Sequence, residues 1–152
     1  MTTNISTIHD AIVTKIQTFL TDYLQLPNPY IIEENPSTYL KKGFGVAVGP
    51  GERTNRVIGC QVSWQRTFNV ILVNYVTTTD SNTTVRETLS KGLLEDHFTV
   101  LSEFEKAASL SGVAIDAIVQ SDTGITYTKI DGAPYYVMEI DLTCEYLEDL
   151  TS

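Results

Sequence analysis

The chain is poor in charge, and poorest in positive charge. Only 19% of its 152 residues are Asp, Glu, Lys or Arg, with 10 basic against 19 acidic and a net charge of −9. Phosphate contacts need a basic footprint, so free duplex DNA is not an expected partner of the surface as a whole. Cysteine and histidine occur twice each. Cys60 and Cys144 form no CxxC, and neither His9 nor His97 has a second ligand at metal-site spacing, so no zinc or other metal is expected. Both cysteines fall on apolar faces of predicted strands and are expected as buried free thiols. No apolar run approaches the roughly 18 residues of a membrane span, and no basic-then-apolar signal segment opens the chain. The expectation is folding in a reducing cytosol, with no membrane partner.

Signatures of catalysis are also missing. Gly43, Gly45, Gly49 and Gly51 are not a phosphate loop, because no GK[ST] follows and no helix starts there to aim its amides. There is no GxSxG elbow. Cys60 has no histidine nearby in sequence, and His97 falls on an apolar helical stripe, the place of a packed histidine. The expectation is a non-enzyme without cofactor. Hydrophobic residues make up 42%, with nine Gly and five Pro. That excludes a disordered or collagen-like chain. A chain of this length can bury about two-thirds of its unfolded surface and needs no disulfide or metal staple.

The apolar pattern marks the elements. Ile5, Ile8, Ile12, Ile16, Phe19 and Tyr23 share one face of a helix that Pro27 stops. Thr7 and Asp10 have capping-box spacing near its start. Short strands are expected over Pro29–Glu34 and Phe44–Val48, with Gly49–Arg56 a polar loop or hairpin tip. Val57–Val76 reads as one long strand. Cys60, Val62, Trp64, Phe68, Val70 and Leu72 lie on one face, interrupted by Arg66, and Gln61, Ser63, Gln65, Thr67 and Asn69 lie on the other. Such length predicts a bend, a bulge or a projection. From Ile71 both faces turn apolar, so that end should be covered on both sides. A second helix is expected over Val85–Ala108, opened near Asp80–Asn82, weakened at Gly92 and ended by Gly112. Strands follow at Val113–Val119 and Ile125–Ile130. The last, Tyr135–Tyr146, turns Tyr136, Met138, Ile140, Leu142, Cys144 and Tyr146 inward.

Strands come in runs rather than alternating with helices. That order predicts one α+β domain over residues 1–152: a mostly antiparallel sheet, two main helices packed on one face, and a long projecting β-hairpin.

Charge is unevenly placed. Residues 41–66 hold Lys41, Lys42, Arg53, Arg56 and Arg66 against Glu52 alone, and residues 116–149 hold eight acids against Lys129. Glu139, Asp141 and Glu145 form a row on the outward face of the last strand; as a carboxylate set they are read as a solvated face rather than acid–base machinery. A basic hairpin can meet an acidic surface on a neighbouring copy, and a head-to-tail contact of that sort can close into a ring. The two segments can equally neutralise each other within one monomer.

The opening helix Ile5–Leu24, the long strand Val57–Val76, the helix Val85–Ala108 and the closing strand Tyr135–Tyr146 together resemble the tail terminator, or tail completion, proteins of long-tailed bacteriophages. The resemblance is one of element order over nearly the whole chain. It implies a non-enzymatic virion protein at the tail–neck junction, assembled in the host cytoplasm. Such proteins form a hexameric ring that caps the tail tube, ends its polymerisation and presents a surface for head attachment. The partners implied are copies of itself, the tail tube protein and a head–tail connector or neck protein, with DNA only passing through the channel. On this reading Lys41, Lys42, Arg53, Arg56 and Arg66 are subunit or tube contacts, and Glu139, Asp141 and Glu145 an acidic partner or channel face. Gly43–Arg56 and Asp122–Gly132 have no place in the pattern. Two rival readings stand beside it: a head–tail connector or head-completion protein, and a small α+β ligand-binding or enzymatic domain.

Overall fold

The computed structural model describes residues 4–26, 42–58, 61–75, 83–106, 110, 116–130 and 133–149. The element order is α1 (Ile5–Phe19), β1 (Leu24–Gln25), β2 (Lys42–Ile58), β3 (Gln61–Tyr75), α2 (Thr83–Glu105), β4 (Asp116–Asp122), β5 (Thr126–Ile130) and β6 (Ala133–Asp149). The six strands form one sheet in the order β1-β2-β3-β6-β4, with β5 also paired to β6. Every pairing is antiparallel except the short β1–β2 contact. This is the α+β architecture expected from the runs of strands.

Both helices lie on one face of the sheet. Ile8, Ile12 and Ile16 of α1 and Leu93, Val100 and Phe104 of α2 join Phe44, Val46, Phe68, Val70, Leu72, Met138, Ile140, Leu142, Cys144 and Tyr146 in one buried cluster. The helices meet through Phe19 and Phe104, whose rings stand edge to face 5.9 Å apart. On the opposite face a smaller cluster of Leu26, Ile71, Val73 and Tyr135 covers one end of the sheet. That is where both faces of β3 turn apolar.

The structure corrects several expected boundaries. α1 ends at Phe19, where the Leu20 amide closes the last turn on the Ile16 carbonyl. Tyr23 still reaches the core, at 4% exposure, because the following turn folds the chain back. Asn4, not Thr7, caps α1: its Oδ1 accepts the Thr7 amide at 2.9 Å. That placement agrees with an apolar stripe that already begins at Ile5. α2 stops at Glu105; β4 runs over Asp116–Asp122, and the expected strand start at Val113 lies outside the described residues.

The largest correction concerns the hairpin. The expected loop Gly49–Arg56 is strand, and the expected single strand Val57–Val76 is divided between β2 and β3, with Ile58 paired to Gln61. The distal part of β2 is an edge strand exposed at residues 50–53, so it lacks the alternation that marks a half-buried strand. It also carries register shifts between Val48 and Gly51 and between Arg53 and Val57, which blur the period further. Nor does the hairpin project alone. β6 runs beside β3 to Asp149, so the extension is three strands wide. The expected strand Pro29–Glu34, Lys41, Cys60, Val76, the Asp80–Asn82 opening and Gly112 lie outside the described residues.

Candidate functional site

Strand register decides which side chains share the hairpin's distal end. Gly51 and Arg53 of β2 stand opposite Arg66 and Trp64 of β3, and these stand opposite Cys144 and Tyr146 of β6. Arg53, Trp64, Arg66 and Tyr146 therefore lie on the helix-bearing side of the sheet. Arg66 is pinned there. Its Nε donates to the Tyr146 hydroxyl at 3.2 Å and its Nη1 to the Gly49 carbonyl at 3.0 Å. The guanidinium rests on Gly51, where an added Cβ would come within 2.5 Å of it. An arginine interrupts the apolar row of β3 because neutral acceptors and a glycine cradle await it.

Lys42, at the other end of β2, is also engaged within the chain. Its ammonium lies 3.9 Å from Asp96 Oδ2 and 5.6 Å from the centre of the Tyr23 ring. Of the described candidate cations Lys42, Arg53 and Arg66, Arg53 is the exposed one. Arg56 falls between Arg53 and Val57 in β2, and its side chain lies outside the described ones, as does all of Lys41.

The opposite face is open along the middle of the sheet. Gln65, Thr67 and Asn69 of β3 lie there beside Glu145, Thr143 and Asp141 of β6, and Ser63 is buried against Glu145. The carboxylates have internal donors. Asp141 accepts from Asn69 Nδ2 at 3.0 Å and Ser121 Oγ at 3.2 Å, and Glu145 from Ser63 Oγ at 3.1 Å. Glu139 is held through its backbone, which exchanges hydrogen bonds with Thr123. A shallow groove of about 650 Å³ crosses this face, lined by Pro50, Gly51, Glu52, Gln65, Thr67, Gln120 and Thr143. Every described charged strand side chain on this face is a carboxylate: Glu52, Glu139, Asp141 and Glu145.

Three groupings join residues too distant in sequence to be foreseen. Tyr23 donates to Asp96 Oδ2 at 2.6 Å and accepts from Asn74 Nδ2 at 3.1 Å, tying the end of α1 to α2 and β3. Burial, foremost, and the bond to Asp96 push the Tyr23 phenol well above its ordinary value. His9 Nε2 lies 2.8 Å from the Val46 carbonyl. As the donor it satisfies an edge-strand acceptor that β1 is too short to reach. His97 Nε2 lies 3.2 Å from Asp122 Oδ2, but this buried nitrogen makes no well-directed hydrogen bond. This is a half-buried pair between α2 and β4, not the purely apolar packing that its stripe suggests.

Among the described residues no group of three or more His, Cys, Asp or Glu is placed to hold a metal ion. Among them, too, no helix is long and apolar enough to cross a membrane. Cys144 is buried, as expected. Neither a protein-family model nor a curated protein sequence matches the chain.

Proposed function

We propose that this chain is a structural subunit of a bacteriophage tail–neck junction, a tail terminator whose copies form a ring, hexameric in the reading above, on the end of the tail tube. The observation that carries the reading is the two-sided sheet. One face is filled by α1 and α2, and the open face presents hydroxyls, amides and carboxylates without a described basic side chain. A wall past which DNA must slide is best hydrophilic and of like charge, because cationic side chains would bind the phosphates and stall passage. In this reading Glu139, Asp141 and Glu145 belong to the channel wall. The hairpin end with Arg53 and Arg56 meets the next subunit or the tube, and Arg66 holds that end in shape.

The test is native mass against concentration, followed by negative-stain imaging with and without purified tail tubes. A closed ring that caps one end of the tube is the expected result. A ring that ignores tubes but binds a head connector transfers the protein to the head side of the neck. A monomer that neither closes nor caps refutes the proposal.

A further inference from the structure

The outward stripe of α2 is unlike that of α1. Leu94 is 51% exposed and Phe98 66% exposed. They are one helical turn apart, with Glu95 beside them and Glu105 two turns beyond Phe98. Neither carboxylate makes a hydrogen bond or ion pair with a described side chain. The outer positions of α1, by contrast, are Ser6, Thr7, Asp10, Thr14, Gln17 and Thr18, with no large apolar side chain among them. At the hairpin end Arg53 is exposed and likewise lacks a described carboxylate, and Trp64 opposite it is half-buried.

We propose that the α2 stripe seats the hairpin end of a second copy of this chain. Leu94 and Phe98 would cover the Trp64 side of the hairpin, and Arg53 would pair with Glu95 or Glu105. The inference rests on the ring reading and names the two surfaces that join. Charge complementarity selects the occupant. Two of the β6 carboxylates already accept from Asn69, Ser121 and Ser63, and on α2 Asp96 and Glu103 accept from Tyr23 and Lys106, whereas Glu95 and Glu105 accept from no described side chain. An aromatic and an arginine against an apolar pair flanked by acids is the composition of an interface centre with its polar rim. The patches differ, so the contact is head to tail, the kind that closes into a ring or runs on as a filament. Backbone pairing through the β2 edge is disfavoured, because Pro50 and two register shifts guard it.

The experiment is sedimentation velocity of the full chain over a concentration series, repeated in the tube-capping assay. The variants are Arg53→Glu, Glu95→Arg with Glu105→Arg, all three together, and Phe98→Ser. Each reversal should weaken self-association at least about tenfold, the triple variant should recover most of it, and Phe98→Ser should weaken it without lowering the melting temperature. Reversals that assemble like the original chain, or a loss that the triple variant does not rescue, overturn this docking and leave the ring reading standing. If the unaltered chain associates only on tubes, the same loss and rescue are read in the capping assay. If it neither associates nor caps, the ring reading falls and the docking with it.

Discussion

Replacing Tyr23 by Phe removes one oxygen from a buried network and should be felt throughout the fold. The hydroxyl donates to the Asp96 carboxylate at 2.6 Å and accepts from Asn74, itself 2% exposed. A hydrogen bond to a charged group contributes about 1.5–3 kcal/mol, and stranding a buried amide costs about 1–3 kcal/mol. Lys42 still attends Asp96 from 3.9 Å, and the Asp96 side chain is 21% exposed, so water and the ammonium offset part of the loss. The net expectation is about 2–3 kcal/mol. For a chain near 150 residues that lowers the melting temperature by about 4–12 °C. The pH dependence supplies a second check. The folded-state pKa of Tyr23 is raised above its unfolded value. The stability linked to it is therefore complete below about pH 10 and declines as the unfolded phenol ionises, by up to about 1.4 kcal/mol per pH unit. Tyr135 is raised too, chiefly by burial, and contributes equally to both proteins. The gap between Tyr23→Phe and the unaltered chain should thus narrow above about pH 10. Urea unfolding followed through the single tryptophan measures both effects. A loss under about 0.5 kcal/mol near pH 7, or a gap that stays constant into alkali, would falsify the network as a source of stability.

Three further substitutions probe the hairpin and α2. An added Cβ at Gly49 meets the Thr67 carbonyl at 2.7 Å, whereas one at Gly51 meets the movable end of Arg66. Gly49→Ala should therefore cost more than Gly51→Ala, whose loss is limited to the Arg66 bonds at about 1 kcal/mol; equal costs in urea melts would contradict this. Gly92 lies inside α2 with nothing within 4 Å of an added Cβ, so Gly92→Ala should stabilise by about 0.5–1 kcal/mol, read as a rise in the urea midpoint.

Periodic segments were the legible ones. The stripe of α1 and the alternation of β6 placed Ile8, Ile12, Ile16, Met138, Ile140, Leu142, Cys144 and Tyr146 in the core, and all are buried. Tyr136 shares that alternation but is only half-buried, packed at the margin against Tyr127. The distal half of β2 was illegible because an exposed, bulged edge strand has no preferred inward face, and its Gly, Pro, Asn and Arg resemble a loop. Among the candidate site residues, Lys42 and Arg66 looked like surface cations. Their partners Asp96, Gly49 and Tyr146 come from other elements, and no local pattern announces them.

The sequence by itself determined the fold class, the two amphipathic helices, the inward face of the closing strand and the segregation of positive from negative segments. These follow from side-chain periodicity and composition, which act locally. Tertiary structure alone decided where the hairpin turns, that β6 braces it, and which charges are already satisfied inside the chain. Those outcomes depend on pairings such as Arg66 with Tyr146 and Tyr23 with Asp96. Strand register and helix packing create them, and neither has a signal confined to one stretch of residues.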